Sequence, residues 1–216
     1  MDRKKWPIAA EAFPFVIPLA VLAIIFYYFI GYYLWLLPAA LALFVLFFFR
    51  NPKRQGEAGE KELLSPADGK VMFAGEIPEE KEFLGGPALK ISIFLNIYNV
   101  HINRSPIEGK VEHVRYRKGQ FIPAFKSHAS EINERNYLGL TVGAEKQKVL
   151  LVQIVGFVAR RVVCWSRVGE HLRQGERFGL MKFGSCVELY LPPGTELYVK
   201  PGDKVKAGLT KLGRLP

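Results

Sequence analysis

The residues best placed to do chemistry in this sequence are a serine, a histidine and an aspartate that lie far apart in the chain. Ser185 directly follows Gly184 and precedes strand-like sequence. A serine hydroxyl becomes a nucleophile when a histidine takes its proton and a carboxylate orients that histidine. His101 and Asp68 are the candidates for these two roles. Their order along the chain is no obstacle, because such triads are defined by geometry, and the chemistry they predict is attack on a carbonyl carbon.

His101 is selected by its position at the end of an apolar, strand-like run. A histidine at the mouth of a buried strand is held rigidly and can reach a site. His113 alternates with apolar residues on a predicted strand and is expected to face solvent. His128 lies in a loop of small residues, and His171 lies near a turn. Neither has an evident partner in the sequence.

Asp68 is selected from the three aspartates of the chain by elimination. Asp2 belongs to a basic terminal tail, and Asp203 lies in a Pro-Gly-Asp-Lys turn. Asp68 precedes Gly69, and Asp-Gly is itself a strong turn signal. Taken singly, Ser185 and Asp68 fit turn residues better than catalytic ones, and His101 fits a structural histidine equally well.

The two cysteines, Cys164 and Cys186, predict neither a disulfide framework nor a zinc site. Cys186 follows Ser185, but its thiol has no partner in the sequence. No glycine-rich phosphate loop or dinucleotide fingerprint is present. The sequence therefore predicts no metal and no nucleotide cofactor, and its cysteine usage fits a reducing compartment.

An apolar block precedes all of these residues. Residues 12–49 contain no charged residue and no histidine, and about 165 residues follow them, enough for one compact domain. As one straight helix the block would extend roughly 57 Å, against a hydrocarbon core of about 30 Å. Gly31 lies near its middle, so we expect two short helices that meet there. Both could span the membrane, or the pair could be re-entrant.

Basic residues flank the apolar block on both sides. Residues 3–5 precede it, and Arg50, Lys53 and Arg54 follow it. Basic flanks at both ends favour a hairpin whose two ends are cytoplasmic. The formal net charge of +10 fits attraction to anionic lipid headgroups, or an ordinary basic surface. Basic runs interleaved with aromatic residues are missing, so we expect no nucleic-acid partner.

The remainder of the chain has the pattern of strands and turns. Strands are predicted at residues 70–74, 89–97, 109–116, 136–142, 149–158, 187–190 and 196–199. Helical signals are weak and are confined to residues 160–168 and 125–134. The predicted fold class is α+β, a mainly antiparallel β single domain behind an N-terminal hydrophobic helical hairpin. The predicted organisation is a membrane-anchoring hairpin at 1–50, a linker at 51–62 and a β-rich catalytic domain at 63–216.

The sequence resembles the phosphatidylserine decarboxylases, in particular their short bacterial and archaeal type. The resemblance covers nearly the whole chain. It rests on Ser-Pro-Ala-Asp-Gly at 65–69, on Val100-His101 after the apolar strand, and on Gly-Glu-Arg-Phe-Gly at 175–179 leading into Phe183-Gly184-Ser185. The Gly-Ser element is the most specific of these, and Cys186 is a tolerable variation after it.

The resemblance implies an enzyme that cuts its own chain between Gly184 and Ser185. Ser185 would attack the Gly184 carbonyl with help from His101 and Asp68, and elimination and hydrolysis would leave a covalent pyruvoyl group in place of Ser185. Residues 1–184 and 185–216 would become the large and the small subunit. The pyruvoyl group would decarboxylate phosphatidylserine through a Schiff base, which yields phosphatidylethanolamine and carbon dioxide in phospholipid biosynthesis.

The resemblance also implies a location and partners. The substrate would be phosphatidylserine in the cell membrane, with the catalytic domain on the cytoplasmic side. The two subunits would stay together, and a homodimer is one assembly that the sequence leaves open. Relatives of the longer bacterial type often carry a second histidine where this chain has Tyr98. Tyr98 is therefore a weak candidate for a part in decarboxylation.

Two other functions remain open at this stage. A membrane-anchored serine hydrolase could use Ser185, His101 and Asp68 without cutting its own chain, although the Gly-x-Ser-x-Gly elbow of common hydrolases is missing. A membrane-tethered β domain could instead bind lipid or protein partners without catalysis. In that last case, alanine at all three positions would leave the protein's behaviour unchanged.

Overall fold

The computed structural model describes residues 6–31, 33–122, 132–156, 161–182 and 185–216. The chain divides into two compact units, Met1–Lys53 and Arg54–Pro216. The first unit contains the apolar helices and the second contains the strands. The α+β class, with a helical hairpin before an antiparallel β domain, is confirmed.

The first unit is a pair of apolar helices, α1 at Phe13–Phe29 and α2 at Leu36–Phe48. They lie on either side of Gly31, whose φ of +150° ends the first helix in a conformation that favours glycine. The edge-to-face contact of Tyr27 with Trp35 closes the turn between them. Ala10–Phe29 forms one helical stretch of 20 residues, long enough to cross a membrane, whereas the 13 residues of α2 are too few by themselves.

The second unit is built from strands joined by turns. Among the described residues they are β1 Glu62–Leu64, β2 Gly69–Glu80, β3 Gly86–Leu95, β4 Ile102–Arg104, β5 Gly109–Arg117, β6 Arg135–Val142, β7 Gln147–Val155, β8 Val162–Cys164, β9 His171–Leu172, β10 Arg177–Met181, β11 Ser185–Leu191, β12 Glu196–Leu197, β13 Lys204–Val205 and β14 Lys211–Arg214. Neighbouring strands in each sheet are antiparallel.

The strands form one large sheet and two small ones. The large sheet has the order β13-β2-β3-β11-β7-β6-β5-β9, and the small sheets have the orders β4-β10-β8 and β1-β14-β12. Strand β11 is internal to the large sheet, between β3 and β7. Its residues alternate between the two faces, as strand geometry requires. Val187, Leu189 and Leu191 belong to the main core, whereas Cys186 lies in a second apolar cluster on the opposite face.

Short helices were predicted at 160–168 and at 125–134. The predicted helix at 160–168 is wrong, because Val162–Cys164 pairs with β10 as strand β8. A short apolar run is compatible with either structure, and pairing with β10 satisfies its backbone groups in the sheet. The predicted helix at 125–134 falls mostly outside the described residues.

Candidate active site

The register of the large sheet places several strand ends at one edge. Lys70 of β2 pairs with Phe94 of β3, Phe94 pairs with Cys186 of β11, and Cys186 pairs with Ile154 of β7. The start of β2, the end of β3, the start of β11 and the end of β7 therefore lie side by side. We call this the Ser185 edge. Because the sheet is antiparallel, residues from before β2, after β3 and before β11 are gathered there from distant parts of the chain.

Ser185 is the first residue of β11 and is fully buried, with 0% of its surface exposed. It pairs with Leu95 and Val155, and alternation places its side chain on the same face as Val187. Its Oγ has no hydrogen-bond partner among the residues described. A buried polar atom without a partner costs about 1–3 kcal/mol, so such atoms are rare and call for an explanation in function.

His101 lies beside the chain segment that leads into Ser185. Its backbone carbonyl accepts a hydrogen bond of 3.1 Å from the backbone N–H of Met181, the last residue of β10. Residues 182–184 then join Met181 to Ser185; Gly184 lies outside the described residues, but its carbonyl carbon is bonded to the Ser185 nitrogen. His101 is therefore anchored within a few residues of the Gly184–Ser185 bond.

The imidazole of His101 is buried and oriented by a backbone carbonyl. The side chain is only 3% exposed, and Nδ1 lies 3.0 Å from the carbonyl oxygen of Asn99. A carbonyl oxygen can only accept, so Nδ1 carries the proton that it donates there. The neutral ring then has its lone pair on Nε2, which is the form that can act as a general base.

Asp68 is buried at the start of β2 and binds several donors. Arg54 donates to both carboxylate oxygens, the backbone N–H of Ala207 donates to Oδ1 at 2.8 Å, and the backbone N–H of Val100 also donates. Burial acts to raise the pKa of Asp68, but the hydrogen bonds from Arg54 and Ala207 outweigh it and hold the pKa below its ordinary value. The carboxylate is therefore tied to the backbone immediately before His101.

A second buried arginine, Arg104, lies near Asp68. Arg104, which is 5% exposed, donates from Nη1 to the carbonyl of Gly175 at 2.9 Å. Its pKa is lowered to about 10, first by burial and then by the charges of Arg177 and Arg54. From the sequence, Arg54 was expected only as a basic flank of the apolar block. Arg104 was not predicted, although a charged residue beside a buried strand is a usable signal for it.

A chain of buried amides runs beneath the same edge. Asn136 donates from Nδ2 to Oε1 of Gln153 at 3.2 Å, and Gln153 donates from Nε2 to Oδ1 of Asn103 at 2.8 Å. Asn103 and Gln153 are both fully buried. None of these three amides was predicted from the sequence. The available signal was a glutamine inside the run 149–158, which otherwise predicts a strand buried on both faces.

Cys186 does not share the environment of Ser185. Alternation turns it to the opposite face, where its Sγ lies 3.1 Å from Oγ of Ser92. Burial, followed by the charge of Glu188, raises the pKa of the Cys186 thiol to about 12. The thiol is therefore protonated near neutral pH and is a poor nucleophile.

The remaining candidates from the sequence have different surroundings. Tyr98 is 66% exposed, in the segment between β3 and His101. His113 contacts Glu82 at 2.9 Å, and His171 lies 3.8 Å from Glu108. His128 lies outside the described residues. Within the described ranges, no three His, Cys, Asp or Glu side chains come together as metal ligands.

Comparison with known proteins connects this geometry to a family. The family model for phosphatidylserine decarboxylase matches residues 41–213. A phosphatidylserine decarboxylase proenzyme of Carboxydothermus hydrogenoformans is 50% identical over 206 residues, covering 95% of both chains. That of Symbiobacterium thermophilum is 47% identical over 218 residues, covering 100% of this chain and 99% of its own. That of Syntrophus aciditrophicus is 42% identical over 207 residues, covering 95% of this chain and 96% of its own.

Proposed function

Because the chain belongs to the phosphatidylserine decarboxylase family, we propose that it converts phosphatidylserine to phosphatidylethanolamine with a pyruvoyl group made from its own Ser185. The observation that carries the proposal is the buried, unpartnered environment of the Ser185 hydroxyl. Its hydroxyl is fully buried at the start of an internal strand and has no partner in the described part of the chain, and His101 is anchored beside the segment that leads into it. That arrangement suits a hydroxyl that reacts within the protein.

The first step is attack of Ser185 on the carbonyl carbon of Gly184. The Oγ–C bond forms while the hydroxyl proton passes to Nε2 of His101, and the carbonyl electrons move to oxygen. Collapse of this intermediate breaks the C–N bond, and the amine of Ser185 takes the proton from His101. The product is an ester between Gly184 and the Ser185 side chain.

The second stage breaks the ester and leaves the pyruvoyl group. Loss of the Cα proton of Ser185 expels the Gly184 carboxylate and leaves a dehydroalanine at position 185. Addition of one water and release of ammonia then yield the pyruvoyl group at the new N-terminus. Residues 1–184 and 185–216 become separate chains. The proenzyme names of the relatives support a processing step of this kind.

Asp68 supports the base through the backbone. Its carboxylate is bound by Arg54, by the backbone N–H of Ala207 and by the backbone N–H of Val100, the residue before His101. We propose that these hydrogen bonds fix the position of the segment that contains His101. The negative charge also favours the protonated imidazole that forms during attack.

The cut does not remove the small chain from the fold. Residues 185–216 include β11 between β3 and β7, β13 against β2, and β14 against β1. These strands belong to two different sheets. Residues 185–216 are too few to form a core alone, so we expect the fragment to stay bound through these pairings.

The pyruvoyl group would supply an electron sink for decarboxylation by forming a Schiff base with the amine of the substrate. The buried surroundings of Ser185 fit such a group, because they keep bulk water from it. We propose that His101 returns a proton to the carbon that loses carbon dioxide. Tyr98, exposed near the same edge, is a candidate to contact the substrate headgroup.

The apolar helices suit an enzyme whose substrate resides in a bilayer. Helices α1 and α2 form a hairpin, so we propose that the chain enters and leaves the membrane on one side, which the basic flanks make the cytoplasmic side. Protease added to inside-out membrane vesicles should digest the β domain, and protease added to right-side-out vesicles should spare it. The opposite pattern would contradict this orientation.

Intact mass spectrometry of the purified protein tests the central proposal. We expect two chains with the masses of residues 1–184 and 185–216, the shorter carrying a pyruvoyl group in place of Ser185, and carbon dioxide release from phosphatidylserine. Ser185→Ala should give a single uncut chain without activity. An active protein that consists of one full-length chain with unmodified Ser185 would refute the proposal.

A further inference from the structure

Asn103 offers an unused donor in the buried layer beneath the Ser185 edge. It lies on β4, two residues after His101, which directly precedes that strand. Asn103 is fully buried, and its Nδ2 has no hydrogen-bond partner within the described ranges. An amide nitrogen buried in this way is costly unless something else accepts from it.

The direction of the Asn103 amide is set by its neighbours. Gln153 receives a hydrogen bond from Asn136 on its Oε1, so its Nε2 is the group that donates to Oδ1 of Asn103. With Oδ1 engaged, Nδ2 of Asn103 points away from Gln153. Gly179 leaves room for this contact, because a Cβ at position 179 would lie 3.0 Å from Nε2 of Gln153.

The register brings Gln153, the hydrogen-bond partner of Asn103, close to Ser185. Ser185 pairs with Val155, and Gln153 pairs with Val187, so Ser185 and Gln153 share one face of adjacent strands. They are diagonal neighbours, roughly 7–8 Å apart between their α-carbons, a distance that a glutamine and an asparagine together can bridge. The Oγ of Ser185 and the Nδ2 of Asn103 are both buried without a partner among the described residues, and Gln153 connects the strand beside Ser185 to Asn103.

We propose that Nδ2 of Asn103 donates to the oxyanion that forms on the Gly184 carbonyl when Ser185 attacks it. This inference rests on the proposed self-cleavage. When the Oγ–C bond forms and the proton moves to His101, the former carbonyl oxygen becomes negative and needs a fixed donor. A donor that is already oriented and buried costs no reorganisation at that moment. Gln153 acts as a positioning residue, because its hydrogen bond occupies Oδ1 of Asn103 and leaves Nδ2 as the donor.

Two substitutions remove the donor in different ways. Asn103→Asp keeps the shape but replaces the N–H donors with an acceptor. Gln153→Glu leaves Asn103 intact but presents an acceptor where Nε2 donated, so the Asn103 amide should turn over and offer Oδ1 to the site. Loss of one oxyanion donor typically slows a reaction about 10²–10³-fold, so we expect either variant to be cut about 100-fold more slowly or worse.

Cleavage is best timed on full-length chains synthesised in a cell-free system with liposomes, since each chain then starts uncut. Ser166→Ala is the matched control. Ser166 is also buried, and its Oγ also lacks a partner among described residues, but it follows β8 and belongs to no part of the proposed mechanism. This control should be cut at the wild-type rate.

Hydroxylamine identifies the step that has slowed, because it cleaves an ester but not the peptide bond. If Asn103 acts on ester formation, hydroxylamine should release little hydroxamate from the slow variants. Thermal melting of each uncut variant should match that of Ser185→Ala, and if Asn103→Asp does not fold, Gln153→Glu decides the question.

Cleavage of Asn103→Asp or of folded Gln153→Glu at the wild-type rate would overturn the role of Asn103 while leaving the proposed function intact. Accumulation of an ester in these variants would equally overturn it, because the slow step would then be elimination. If the wild-type chain is never cut, the proposed function itself fails.

Discussion

Arg54 holds Asp68 with both ends of its guanidinium group: Nη2 donates to Oδ2 at 2.9 Å, and Nη1 donates to Oδ1. The two side chains are only 11% and 10% exposed. Arg54 is also the first residue of the β unit, immediately after the unit that contains the apolar helices. The carboxylate of Asp68 is therefore held by the first residue of the β unit, Arg54.

Arg54→Gln should slow self-cleavage and destabilise the protein. Removing one partner of a buried ion pair leaves the other charge uncompensated and costs about 3 kcal/mol. Unfolding is measured on the uncut Ser185→Ala chain, and cleavage on the otherwise native chain. Lys53→Gln removes the same charge from the exposed neighbouring residue and is the control. Equal behaviour of the two variants would contradict a role for the ion pair.

The Arg54–Asp68 pair also predicts an acid-dependent stability. The folded-state pKa of Asp68 is depressed, so its contribution is fully present above the unfolded-state pKa, about 3.9. It is lost as pH falls from there through the folded-state pKa. The difference in unfolding free energy between Ser185→Ala and its Arg54→Gln derivative should therefore be constant from pH 5 to 7 and shrink below about pH 4. A difference in unfolding free energy that grows as the pH falls would contradict the lowered pKa of Asp68.

His101→Gln should block or strongly slow the cut. Glutamine preserves much of the volume but cannot accept the Ser185 proton, and loss of a general base typically costs about 10²–10⁴-fold in rate. The measurement is the time course of fragment appearance in cell-free synthesis. His113→Gln is the matched control, since His113 lies on β5, contacts Glu82 and has no proposed part in the reaction. Normal cleavage of His101→Gln would remove the base assignment.

Gly69→Ala should disturb the placement of Asp68. A Cβ at Gly69 would lie 2.1 Å from the carbonyl oxygen of Phe94 on the paired strand, so the backbone must shift. Overpacking of this kind lowers the free energy of unfolding by about 1–3 kcal/mol. The shift occurs at position 69, directly after Asp68, so it should also displace the carboxylate. Chemical unfolding of the uncut chain and the cleavage rate both report the effect. Gly75→Ala in the same strand meets only the Phe73 ring, at 3.5 Å, and should be tolerated.

Cys186 should resist alkylation in the folded protein. Its thiol is buried, and its pKa is raised to about 12, so very little thiolate exists at pH 8. Cys164 is partly exposed and should react first with iodoacetamide, as peptide mass mapping can show. Both cysteines should react once the chain is denatured. Rapid native labelling of Cys186 would contradict this environment.

The sequence by itself determined the parts of the molecule that depend on local pattern. An uncharged block interrupted by Gly31 could only become short apolar helices, and alternation in the following chain indicated strands on one core. Ser185, His101 and Asp68 could be chosen because nucleophile, base and carboxylate are recognisable as residue types. Burial of the strand containing Gln153 was also readable, since its neighbours are apolar.

The tertiary structure alone decided which distant groups meet. Asp68 binds Ala207, which is 139 residues away, and Gln153 binds Asn103, which is 50 residues away. Periodicity indicates which face of its strand a side chain occupies. It carries no information about strand order or register, so neither contact was predicted. The same reason explains the wrong helix at 160–168, where pairing with β10 overrode an ambiguous local pattern. Hydrogen-bond partners follow from non-local pairing, which only the folded chain establishes.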